Sequence, residues 1–207
     1  GQHQATLHST PLVADLSEIM WRDTYKVSNI EGYPLTWDRR DLDDALNAWS
    51  VHDHGEEVNL SGWNCTLHCA GHVPGASMVR LERDKLTIRW TGDIDTRDSP
   101  NVIGAEPMEC DILVMEATYA ARDHADRSEE EARLVDRVQE VRARGGVSLI
   151  PSFASGRGQD IIKILHDSDP SLNVHYDGMG TRVSKIWNSH SEYLRDPSGF
   201  EKALRGS

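Results

Sequence analysis

Ala70-Gly71-His72-Val73-Pro74-Gly75-Ala76, followed twenty-one positions after its histidine by Thr91-Gly92-Asp93, is the part of the chain that decides how the rest is read. A histidine beside glycine at a strand end is held on a tight loop with its imidazole free to face an open site, and neutral imidazole is the commonest metal ligand. Asp93 repeats the arrangement at the end of a second strand-like run, and a carboxylate there has the chemistry to bridge two cations around an attacking water. Each residue also has an ordinary reading. His72 could be a turn histidine bonded to backbone, and Asp93 a side chain capping its own turn.

The flanks of these two loops have strand texture. Cys65-Thr66-Leu67-His68-Cys69, Ser77 to Glu82 and Leu86 to Trp90 are short, and Gly71, Gly75 and Arg83-Asp84-Lys85 punctuate them, which predicts a β-meander. Asp111-Ile112-Leu113-Val114-Met115 is a continuous apolar run, expected for a strand buried on both faces. Glu116 ends that run, and a carboxylate in such a place has a partner, holds a metal or works in a cleft, because isolated buried charge is costly. Toward the N-terminus, Thr10-Pro11 is a cap and first-turn pair. Leu12, Leu16, Ile19 and Met20 then recur at helical spacing, so the first helix is predicted to end near Asp23. A second helix is expected over about 38–49, where Leu42, Ala45, Leu46 and Trp49 make one apolar face.

The sequence turns polar between Ala121 and Asp126, and this marks the expected boundary between a first domain, 1–121, and a second, 122–207. Ser128-Glu129-Glu130-Glu131 reads as a capping box opening a helix through Leu134, Val135, Val138 and Val141, closed by Gly145-Gly146. A strand at Val147-Ser148-Leu149-Ile150 should lead through Pro151 to Gly156 into a helix carrying Ile161, Ile162, Ile164 and Leu165. Asn173 to Tyr176 is the next expected strand and Arg182 to His190 the next helix. Strands and helices in short alternation predict a parallel sheet with crossover helices. Arg157 sits where such a strand gives way to a helix, so free amides and a guanidinium could cradle a phosphate. Its plain alternative is an ion pair with a nearby carboxylate. His175 and His190 read as structural. Cys65 and Cys69 read as residues of a buried strand, since no second pair completes a zinc finger.

Composition narrows the class. The 207 residues, 38% of them apolar, can form one large domain or two small ones around a real core. Acidic residues outnumber basic ones 34 to 22, giving a formal charge of -12, and at low ionic strength that field repels a polyanion or an anionic membrane. At salt near 1 M the Debye length falls to roughly 3 Å, so the same acidity suits a salt-rich cytoplasm and is read here as halophilic adaptation. Three cysteines without a paired framework fit a reducing compartment. No stretch approaches 18 apolar residues, so no membrane span is expected, and the start carries no signal-peptide pattern.

Taken in order, AGHVPGA (70–76), TGD (91–93), LVMEATYA (113–120), GGVSLIPSFASGRGQDIIKIL (145–165) and VHYDGM (174–179) resemble the motif series of metallo-β-lactamase-fold nucleases of the β-CASP type. HSTPLVADLSEIMWRDTYKV (8–27) resembles the segment that these enzymes carry after their first metal motif. The resemblance runs in register from about Leu7 to the C-terminus. It implies an α/β fold: a partial metallo-β-lactamase αββα layer followed by a partial β-CASP parallel-sheet insertion. It further implies that His72 is a zinc ligand, that Asp93 is a catalytic carboxylate bridging two zinc ions, and that Glu116 is the acidic residue that orients a catalytic histidine. The implied substrate is RNA, in 3′-end processing or degradation, with a metal-activated water attacking a phosphodiester.

The series also has gaps. The family's HxHxDH run is expected upstream of Leu7 and two further histidine motifs beyond Ser207, and neither is in the chain. Two protein ligands do not close a catalytic zinc site that takes three plus water. The expectation is therefore a fragment that is inactive and binds zinc weakly alone, exposes part of its sheet, and is completed by a homodimer partner or a complementing chain. A non-catalytic β-CASP-like subunit or RNA-processing scaffold is the alternative. Thioester or lactam hydrolysis on the same layer fits His72 and Asp93 but leaves 153–159 unexplained.

Overall fold

The computed structural model describes residues 5–207 and divides into two units. The first runs to Arg97 and takes up Gly104–Val114; the second comprises Asp98–Ile103 and Met115–Ser207.

In the first unit, strand β1 (Leu7–Ser9) leads into helix α1 (Pro11–Glu31), and α2 (Arg39–Leu46) precedes β2 (Trp49–Val51), which pairs in parallel with β1. Thr10 caps α1 as its sequence suggests, its hydroxyl accepting from the Val13 amide. The helix does not stop near Asp23 but continues to Glu31 and ends on Gly32, whose φ of 72° is the left-handed cap that glycine supplies without strain. Polar residues carry the added turns: the Thr24 hydroxyl donates to the Met20 carbonyl and the Asn29 amide to the Tyr25 carbonyl. The loss of apolar spacing after Met20 marked where burial fades, and the helix outlasts it. In α2, Asp38 is the N-cap and forms a reciprocal capping box with Asp41.

The remaining strands form one sheet, ordered β3 (Glu57–Leu60), β4 (Trp63–Cys69), β5 (Ser77–Arg83), β6 (Leu86–Trp90) and β7 (Ile112–Val114). The first four are antiparallel neighbours, which is the meander expected; β7 joins in parallel beside β6. Buried Ala70, Met78 and Ala105, with Ala76 and Ile94 against them, pack around the loop that carries His72. The apolar run at β7 is not buried on both faces. Ile112, Leu113 and Val114 are all exposed, since β7 has only one strand neighbour in the sheet.

The second unit is built from α3 (Arg127–Ala143), α4 (Arg157–Ser168), α5 (Met179–Ser189) and α6 (Pro197–Arg205). Its core is apolar side chains from the last three: Ile162 and Leu165, Val183 and Trp187, Phe200 and Ala203. Trp187 and Phe200 rings lie 5.8 Å apart, within aromatic contact range. The cap of α3 is Asp126 rather than Ser128. The Asp126 carboxylate accepts from the Glu129 amide and from the Ser128 hydroxyl, so Ser128 is consumed as a donor to the true cap. Segments 147–150 and 173–176 form no strand ladder among the described residues, and Val147 and Leu149 are each 93% exposed. The chain thus has mixed α/β content, with parallel pairing at β1–β2 and β6–β7.

Candidate metal centre

Two loops of the first unit bring His72 and Asp93 together. The loop after β4 is pinned at its mouth, the Ala70 amide donating to the Ala76 carbonyl, and across it the Asp95 amide donates to the Ala70 carbonyl. Gly71 is required here. Its φ is 70°, and a Cβ would fall 2.0 Å from the Asp95 carbonyl oxygen and 2.5 Å from the Ala105 nitrogen. The far end is held by Thr10, whose hydroxyl, fully buried, donates to the Gly75 carbonyl. The second loop leaves β6 at Thr91, which is buried and donates its amide to the Val114 carbonyl. Gly92, at φ 58°, then turns the chain and presents Asp93.

His72 Nε2 and Asp93 Oδ2 end 3.9 Å apart, with the side chains 48% and 74% exposed. Two donor atoms bound to one tetrahedral zinc at ordinary bond lengths of about 2.0–2.1 Å lie roughly 3.3 Å apart, so a shift of a few tenths of an ångström would let one cation take both. The pair could serve as one edge of a metal site. Among the described residues, no group of three or more His, Cys, Asp or Glu side chains could hold a metal. The residues present therefore fit half of a zinc coordination shell and do not close one.

The first unit also carries two half-buried histidines. His54 Nε2 lies 3.0 Å from the Ser77 hydroxyl, and burial together with the nearby His68 pushes its pKa below the ordinary value. His68 is pushed down in the same way by burial, then by Arg89 and Arg80. Both are thereby favoured in the neutral form.

Glu116 and Arg157 belong to the second unit. Glu116 is half-buried at the start of a turn, and its Oε2 accepts from the Thr118 amide at 2.7 Å. Three residues on, Tyr119 stacks against His124, ring centroids 3.8 Å apart, while the Arg122 guanidinium lies 4.6 Å from the centre of the Tyr119 ring. Residue spacing did not single out this cluster, although an aromatic and an arginine shortly after a strand-end carboxylate were visible in the sequence. Arg157 is the first residue of α4, exposed, behind Gly156 at φ 96° with no side-chain cap on the helix. Among the described residues it forms no ion pair. Among the described residues His175 and His190 lie outside any cluster of metal-ligand type, and His190 Nδ1 lies 3.6 Å from Glu192.

A mixed α/β layer thus presents a histidine and an aspartate side by side from two glycine-shaped loops, donor types that could supply part of a metal site. No protein-family model matches the chain. The probable RNase MJ4 of Methanocaldococcus jannaschii is 30% identical over 95% of this chain and 47% of its own length. RNase aCSPSF2 of Saccharolobus solfataricus is 29% identical over 98% of the chain and 41% of its own. Cleavage and polyadenylation specificity factor subunit 3 of Dictyostelium discoideum is 36% identical over 84% of the chain and 24% of its own. The resemblance read from the motif series is borne out in that homologues of the chain are β-CASP metallo-β-lactamase nucleases. It spans less than half the length of these relatives.

Proposed function

We propose that this chain contributes part of the catalytic centre of a zinc-dependent ribonuclease of the β-CASP type, acting in RNA 3′-end processing or RNA degradation. The observation that carries the reading is the 3.9 Å approach of His72 Nε2 to Asp93 Oδ2 from separate glycine-shaped loops. Zinc, when bound, polarises a phosphoryl oxygen and makes a bound water acidic enough to attack a phosphodiester at neutral pH. In this reading His72 and Asp93 are metal ligands, and Glu116 is an acid–base or orienting carboxylate. Arg157, unpaired at a helix N-terminus, holds a phosphate of the substrate. The remaining ligands come from outside the described residues, through the rest of a longer protein, a homodimer partner or a complementing chain. The relatives' names, which include RNase and cleavage and polyadenylation specificity factor, support RNA as substrate. No helix of the described residues is long and apolar enough to cross a membrane.

In the natural protein, Asp93→Ala is expected to abolish metal-dependent cleavage of a labelled RNA, whereas undiminished cleavage would remove Asp93 from the mechanism. A non-catalytic scaffold role is the second reading, favoured by the absence of a third ligand among the described residues. It predicts RNA binding without cleavage in the same assay.

A further inference from the structure

We propose that Tyr119, Arg122 and His124 form a stacking platform for a nucleobase of single-stranded RNA, next to the Glu116 carboxylate. The inference rests on the ribonuclease reading above and adds a contact to the bases themselves.

Three planar groups meet on one exposed loop. The Tyr119 ring carries the His124 imidazole 3.8 Å away, tilted by 33°, and the Arg122 guanidinium 4.6 Å away. Tyr119 is nevertheless 43% exposed, and Arg122 and His124 are exposed as well, so the cluster is not part of the core. Apolar burial does not explain why three side chains are ordered together there. A flat face of this kind suits a base, because bases stack on aromatic rings and on arginine planes regardless of their identity.

The charge on Arg122 is a second, independent observation. In a chain with 34 acidic and 22 basic side chains, seven of the thirteen exposed arginines lie against carboxylates, as Arg133 does on Glu130 and Arg137 on Glu140. Among the described residues Arg122 makes no ion pair and rests on a ring instead. A guanidinium over an aromatic ring can still turn edge N–H groups toward a phosphate. The loop also fixes the platform relative to Glu116. The Thr118 amide bonds Glu116 Oε2, the Ala120 amide bonds the Ala117 carbonyl, and the Arg122 amide bonds the Tyr119 carbonyl, so 116–122 is a series of turns. A base stacked here would keep a neighbouring phosphodiester close to the Glu116 carboxylate.

The test measures binding of a single-stranded RNA of about eight nucleotides to the natural protein in EDTA, where no cleavage intervenes, by fluorescence anisotropy. An abasic site is moved along the oligonucleotide one position at a time. One position should weaken binding about tenfold, in the range found for removal of a single stacking contact. In Tyr119→Ala the penalty at that position should shrink to less than twofold, and Tyr119→Phe should restore it. A flat abasic profile in the unmodified protein, or an undiminished penalty in Tyr119→Ala, overturns the platform even where cleavage is normal. If the unmodified protein neither binds nor cleaves RNA, the ribonuclease reading fails and the platform fails with it.

Discussion

Gly71 shows how narrowly a single residue can fix the His72 loop. It combines a left-handed φ of 70° with backbone atoms at 2.0 and 2.5 Å from any added Cβ, and neither neighbour is a flexible side chain that could move aside. Gly71→Ala should therefore cost about 3 kcal/mol or more, at the upper end of single substitutions, read as a lowered denaturation midpoint. Gly62→Ala is the control: its φ is 85° but a Cβ there meets nothing within 4 Å, so only the backbone strain of about 1 kcal/mol should appear. The half-buried histidines give a pH prediction at the same scale. His54 and His68 titrate below their ordinary value when folded and near 6.5 when unfolded, so in that interval the unfolded chain binds more protons. Their contribution to stability is complete above pH 6.5 and is lost as the pH falls below it. The thermal midpoint should drop between pH 7.5 and 5.5, and His68→Gln should flatten the drop; an unchanged slope would exclude His68 as a source.

Elements were legible in the sequence where local chemistry specifies them and not where tertiary neighbours do. The meander Cys65–Trp90 could be read because glycine turns and short β-rich runs alternate along it, and the αL stop at Gly145 because a glycine pair follows a helical face. Likewise His72 and Asp93 stood out because each is held by a glycine at a strand end. Their approach, 3.9 Å, was implied by the motif resemblance and not by residue spacing, since it depends on how the loops after β4 and β6 are tied by Ala70, Asp95 and Ala105. Apolar runs are a different case. Hydrophobicity told where Val147 to Ile150 and Ile112 to Val114 want to be buried but not whether a neighbour is there to bury them, and Val147, Leu149 and all of 112–114 are exposed. Leu149→Lys accordingly should leave the unfolding free energy of residues 1–207 unchanged within about 0.5 kcal/mol, as for any exposed site. A loss near 3 kcal/mol on that substitution would mean that the segment is packed after all. Asp160 is the opposite kind of position. It accepts from Asn101 and Arg127 and is mostly enclosed, and burial raises its pKa against the pull of those two donors. Asp160→Ala should cost about 2 kcal/mol by leaving the Asn101 amide, already buried, without an acceptor.

Charge acts on the molecule as a whole. With a net charge of -12 on 207 residues, the folded chain holds its acids closer together than the unfolded chain does, and their mutual repulsion opposes folding. Salt should relieve this, since the Debye length falls from about 10 Å at 0.1 M to roughly 3 Å at 1 M. Exposed pairs such as Arg137–Glu140 and Arg205–Glu201 work in the other direction, because salt screens attraction as well. Each exposed pair contributes at most about 1 kcal/mol, however, and many contribute nothing measurable. The excess of 12 acids acts at every separation below the Debye length. Potassium chloride raised from 0.1 to 1 M is therefore expected to increase the thermal midpoint, and potassium sulfate, which also strengthens apolar burial, to increase it further. If repulsion is the cause, neutralising several exposed acids on α3, such as Glu129, Asp136 and Glu140, should raise the midpoint at 0.1 M and shrink the response to chloride. A midpoint that falls with chloride would show that the ion pairs outweigh the repulsion, and the acidic composition would then need a different explanation from life in high salt.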